Sequence, residues 1–155
     1  MGGLRLYFLR HGQTTFSRAN AFCGALDPEL TEDGEQMADA FADAYKTTPW
    51  QAIYASPMQR TLATAAPIAA ASGVEVVTRD GLKEIQYGEW EGRTPAEVSV
   101  THRDDYLRWT ADPGWNAPTG GETAVVISAR VLDVIDEIRC RFSEGNVLVV
   151  SHKAT

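Results

Sequence analysis

The residues Leu4–Leu9 form an apolar run rich in β-forming side chains, and the run predicts a buried strand. Thr31 is placed to cap a helix in which Met37, Phe41 and Tyr45 recur at helical spacing. Ile53–Ala55 is a short apolar run followed by Ser56-Pro57, a serine N-cap with proline at the first helical position. That helix should continue through the alanine-rich stretch to Ser72, where Gly73 ends it, and Val74–Thr78 reads as the next strand. Residues 79–121 hold much of the aromatic, glycine and proline content without regular periodicity, so loops and short helices are expected there, shaping a substrate site. In Glu122–Phe142 the apolar residues Val125, Leu132, Ile135 and Ile138 predict a long helix with one buried stripe. Asn146–Ser151 closes as a strand.

Strands alternating with helices predict an α/β fold, a three-layer sandwich whose mostly parallel central sheet is flanked by helices. No repeat, low-complexity tract or linker divides the sequence, so residues 1–155 are read as a single domain. The composition, 44% hydrophobic and 23% charged, is that of an ordinary globular chain. A chain of this length buries roughly two-thirds of its unfolded surface and needs no metal or disulfide staple. The net charge of −7 argues against nucleic acid or an anionic membrane as the main partner. Apolar runs fall short of the roughly 20 residues that span a bilayer. Cys23 and Cys140, in no paired spacing, read as reduced thiols of a cytoplasmic protein.

In parallel sheets, ligands bind beyond the carboxyl ends of the strands. Leu9-Arg10-His11-Gly12 follows the first strand, Ser56-Pro57-Met58-Gln59-Arg60 the second, and Ser151-His152 the last. Arg10, His11, Arg60 and His152 can thus face one crevice. Arginine offers a planar fork of donors to phosphate, and a helix N-terminus adds backbone donors. Neutral imidazole is a competent nucleophile toward phosphorus, and fixed cations stabilise the charge on the transferring group. A departing alkoxide needs a proton, for which Glu84, Glu89 and Glu91 are candidates that spacing alone does not separate.

The run Leu9-Arg10-His11-Gly12-Gln13-Thr14 resembles the signature of the histidine phosphatase superfamily, which includes the phosphoglycerate mutases. Leu30-Thr31 with Gly34, Ser56-Pro57 with Arg60-Thr61, Gly88 with Trp90-Glu91-Gly92, Gly120-Gly121-Glu122-Thr123, and Ser151-His152 match in the same order. The resemblance implies a phosphoglycerate mutase-like fold, with His11 as nucleophile, Arg10, Arg60 and His152 binding the phosphoryl oxygens, and Glu84 as proton donor and later base. It places Gln13, Gly24 and Tyr87 in segments that line the pocket. It implies no metal and no cofactor, a small phosphorylated metabolite as substrate, and leaves room for a homodimer. Two positions depart from the family pattern. Ser17 stands where many relatives carry asparagine near the phosphate, and Lys153 where glycine usually follows the second histidine. Relatives continue past that histidine with a helix and often a strand, so this chain is read as lacking that C-terminal portion.

The Gly-Glu-Trp-Glu-Gly form, and the lack of a longer insertion before the second histidine, favour a phosphatase over a mutase; a non-catalytic phosphate-binding module is the third reading. Elsewhere the plainer roles are expected: His102 solvated, Glu89 and Glu91 structural and exposed, and Trp90, Trp109 and Trp115 in the core or the pocket wall.

Overall fold

A computed structural model of the chain describes residues 2–155. Its sheet contains four strands, β1 (Leu4–Arg10), β2 (Trp50–Ala55), β3 (Val76–Thr78) and β4 (Gly145–Ser151), all parallel, in the order β1-β4-β2-β3. The helices are α1 (Thr15–Arg18), α2 (Glu32–Tyr45), α3 (Gln59–Ser72), α4 (Pro95–Thr101), α5 (Arg103–Ala111) and α6 (Ala124–Arg141). β4 lies inside the sheet, and Val147, Leu148, Val149 and Val150 are all 0% exposed. Their side chains alternate between two cores, as the pleat requires. Leu148 and Val150 pack with Ile53, Ala55 and residues of α2 and α3; Val147 and Val149 pack with Tyr54 and with Val134 and Ile138 of α6. This is the three-layer arrangement expected from the alternation of elements. A third cluster, built on Ile85, Tyr87, Trp90, Val98 and Ile127, supports the irregular segment before α6.

Several local expectations are corrected. β1 is an edge strand rather than a buried one, with Phe8 63% exposed, because an apolar run does not reveal how many neighbours a strand has. The buried stripe of α2 is Gly34, Ala38 and Ala42, whereas Met37 and Tyr45 are exposed; α2 packs close to α3 through small side chains. On α6 the stripe is Ile127, Val134 and Ile138, one helical face away from exposed Val125 and Leu132. Helix α3 starts at Gln59 with Met58 as N-cap; the Ser56 hydroxyl lies 2.8 Å from His152 Nε2 and accepts only a long bond, 3.4 Å, from Met58 N. β3 begins at Val76 and α6 at Ala124, each two residues later than predicted, and β4 begins at Gly145. Thr31 and Thr123 cap α2 and α6 through their side chains, and Gly73 ends α3 in the left-handed conformation with φ 71°. Trp115 is 77% exposed and belongs to neither core nor pocket.

The turn after β1 is held by close backbone packing. Gly12 N donates to Thr64 Oγ1 of α3 at 2.9 Å, and Thr14 forms an antiparallel bridge with Leu30 just before α2. A Cβ on Gly12 would lie 2.3 Å from the Gly34 carbonyl oxygen, and one on Gly34 would lie 2.2 Å from that of Gln13. Both partners are backbone, so neither can swing aside. Gly12→Ala and Gly34→Ala are each expected to destabilise the protein by about 2 kcal/mol or more in chemical denaturation, as overpacked interiors do. Wild-type stability in either variant would show that the turn and α2 separate freely.

Candidate active site

The parallel register carries three chain segments off the same edge of the sheet. His11 N donates to Ser151 O at 3.0 Å, and Ser56 N donates to Val150 O at 3.0 Å, each prolonging its ladder by one residue. His11, Ser56 and His152 consequently emerge side by side. The two imidazole rings lie 5.3 Å apart between centroids, with His11 and His152 buried to 9% and 5% exposure.

His11 Nδ1 is 2.7 Å from Gly12 O. A carbonyl oxygen only accepts, so Nδ1 carries the hydrogen and Nε2 keeps its lone pair. Burial lowers the His11 pKa from 6.5 to about 4; the Gly12 bond opposes that shift, while Arg60 and Arg10 reinforce it. His152 is pushed further down, chiefly by burial, then by Arg60 and His11. Both rings are neutral at pH 7. The hydroxyl of Ser56 lies 2.8 Å from His152 Nε2.

Arg60, in the first turn of α3, is 0% exposed. Its Nη1 donates to Leu26 O at 2.8 Å and its Nη2 to Gly24 O at 3.3 Å, and Asp27 is 3.5 Å from Nη1. Arg60 Nε and His152 Nδ1 are buried without a hydrogen-bond partner among the described residues. Unmet polar groups in a protein interior cost free energy, and for a donor such as Arg60 Nε an anionic ligand with several oxygens can recover it. Glu84 is 6% exposed, its carboxylate accepting from Ile85 N at 3.0 Å, Ala154 N at 3.2 Å and Lys153 N at 3.3 Å. The chain segment after β4 therefore grips the acid directly.

A cavity of about 240 Å3 opens onto these groups. Arg10, His11, Ser17, Glu84, Tyr87 and Lys153, six of the ten residues singled out in the sequence, line it. Arg60 and His152 lie behind the wall rather than on it. Gln13 is not on the wall; its side-chain oxygen accepts from Thr31 Oγ1 at 3.0 Å. Gly24 is buried, and its carbonyl holds Arg60. The Ser17 hydroxyl is engaged locally, accepting from Thr14 N at 2.8 Å and donating to Thr14 O at 3.1 Å in a capping box. Glu91 is half-buried and structural: its Oε1 accepts from Ala25 N at 2.9 Å and Tyr87 N at 3.1 Å. His102 is less solvated than expected, its side chain 16% exposed with Nε2 3.3 Å from Glu89. Pro95 and Trp109 reach the cavity from the 79–121 segment. The sequence reading missed Asn20, Ala21, Phe22 and Cys23. The available signal was Asn20, which adopts φ 53° and turns the chain across the cavity mouth.

The family model of the histidine phosphatase superfamily (branch 1) matches residues 6–155. Phosphoserine phosphatase 1 of Hydrogenobacter thermophilus is 34% identical over 149 residues, covering 96% of this chain and 71% of that protein. Among solved structures, mycobacterial glucosyl-3-phosphoglycerate phosphatase complexed with VO3 aligns with TM-score 0.86 and 30% identity, over 95% of this chain and 74% of its own. The α-ribazole phosphatase of Shigella flexneri aligns with TM-score 0.87 and 25% identity, over 96% and 73%.

The depressed histidine pKa values have a measurable sign. Unfolded imidazoles take up protons near pH 6.5, whereas folded His11 does so only near pH 4. Between those values the unfolded chain binds more protons, so stability is full above about pH 6.5 and falls as pH drops toward 4. Ring-resolved NMR is expected to show His11 neutral and Nδ1-protonated at pH 5.5, with Tm declining between pH 6.5 and 5 less steeply in His11→Gln. A His11 midpoint at 6.5 or above contradicts this electrostatic account.

Proposed function

Because the chain belongs to the histidine phosphatase superfamily, we propose that it hydrolyses small phosphate monoesters through a phosphohistidine on His11. The observation that carries this reading is the Nδ1–H bond to Gly12 O, which leaves a neutral imidazole with its Nε2 lone pair available beside buried cations. Relatives of this chain include phosphatases named for phosphoserine, glucosyl-3-phosphoglycerate and α-ribazole, which supports hydrolysis over mutase chemistry. In the first step His11 Nε2 forms a bond to phosphorus as the ester P–O bond breaks. The protonated Glu84 carboxyl gives its hydrogen to the departing alkoxide. In the second step the Glu84 carboxylate takes a proton from water, which attacks phosphorus; the P–N bond breaks and inorganic phosphate leaves. Arg10, Arg60 and His152 stabilise the phosphoryl oxygens in both steps, in a site where buried charge acts strongly. Lys153 places a further cation on the cavity wall.

Each role is filled by a side chain of this protein, without a metal. The unbonded thiols of Cys23 and Cys140 fit a reducing, cytoplasmic setting for a metabolite phosphatase. Turnover of 4-nitrophenyl phosphate is expected to survive EDTA and to fall by about 1,000-fold or more in His11→Ala, in keeping with the loss of a covalent nucleophile. Quenching in alkaline denaturant, where a P–N bond survives, should trap phosphate on wild-type protein but not on that variant. From 3-phosphoglycerate the product should be inorganic phosphate and not 2-phosphoglycerate. Equal rates in wild type and His11→Ala would leave only a phosphate-binding module.

A further inference from the structure

The cavity lining combines two kinds of side chain. His11 and Glu84 stand in it with Arg10 and Lys153, the only two cations among the residues lining it. Both cations adjoin a site histidine in the chain, and the proposed function assigns both to the phosphoryl group. The lining also carries an aromatic cluster. Phe22 lies 4.6 Å from Tyr87 and 6.1 Å from Trp109 between ring centroids, and Tyr87 lies 6.4 Å from Trp109. These rings are held from beneath: Trp90, 0% exposed, is 5.5 Å from Trp109, and Tyr106 stacks on Trp109 at 6.2 Å. A wall already locked by packing loses little side-chain entropy when a ligand settles on it.

We propose that the alcohol half of the preferred substrate is an uncharged aromatic group seated against Phe22, Tyr87 and Trp109. This deepens, and rests on, the phosphatase reading. A leaving group with its own carboxylate, such as serine or glycerate, would be desolvated on this wall with no cation left to pair with it. An aromatic ring instead removes apolar area from water on both partners and meets the rings edge-on or offset. The specificity residues are then Phe22 and Trp109, which contact the leaving group and not the reacting phosphorus.

The test compares kcat/KM of the wild-type chain for benzyl phosphate and 2-phenylethyl phosphate with that for O-phosphoserine and 3-phosphoglycerate. All four release an alkoxide, so the comparison reads the pocket rather than aryl leaving-group reactivity. The aromatic esters are expected to lead by about tenfold or more, mostly through KM, as pocket contacts of this size provide. Phe22→Ala should erase most of that lead, lowering kcat/KM for the aromatic esters far more than for phosphoserine. Trp109→Ala should do the same, although it also opens the core beneath. A measurement on the unaltered protein therefore runs in parallel: phenylphosphonate should raise Tm more than phosphonoacetate at equal concentration. Equal or better use of phosphoserine or 3-phosphoglycerate, or equal protection by phosphonoacetate, overturns the assignment while leaving hydrolysis intact. If no ester is hydrolysed yet phenylphosphonate still protects selectively, the hydrolytic reading fails and the aromatic subsite stands.

Discussion

The hydrogen bond from His11 N to Ser151 O is the constraint on which the site depends. It continues the β1–β4 ladder one residue beyond the strands, and so fixes the height at which His11 and His152 leave the sheet. Parallel pairing makes this arrangement available: carboxyl ends gather at one edge, and residues distant in sequence become neighbours without any loop having to reach. The glycines then finish the placement. Gly12 and Gly34 let the turn after β1 lie flat on α2, so that the Gly12 carbonyl sits where it can receive the His11 Nδ1 hydrogen. A single backbone oxygen thus chooses the tautomer.

The electrostatics follow from that burial. The protein carries net charge −7, yet its two site histidines are surrounded by guanidinium groups and shielded from water. Burial and like charge act in the same direction on an imidazole, keeping it neutral. The same buried cations that would oppose protonation of the ring favour a phosphoryl anion, so nucleophile and receptor come from one arrangement.

Legibility in the sequence varied with the kind of signal. Thr31 and Gly73 act through contacts within a few residues, and they begin α2 and end α3 as read. Ser56 carries an equally good capping signal, but its hydroxyl is taken by His152, 96 residues away, and local chemistry gives no sign of that competition. The stripe on α2 was misplaced because small residues, Ala38 and Ala42, form the tight face while Met37 and Tyr45 stay in solvent; on α6 Ile138 was placed correctly and Val125 and Leu132 were not. Arg10, His11, Glu84 and Lys153 were legible as cavity residues because they follow strands or belong to ordered motifs. The Asn20–Cys23 wall was not, since an irregular loop obtains its position from the elements it crosses.

Glu91 has a consequence beyond its own bonds. One carboxylate oxygen clasps Ala25 N and Tyr87 N, and Gly24 leaves no room for a side chain between them. The two rims of the cavity, more than sixty residues apart, are riveted into a single part. Grafting either rim alone from a relative would bring a mismatched half. Retuning selectivity calls for exchanging both together with their carboxylate rivet.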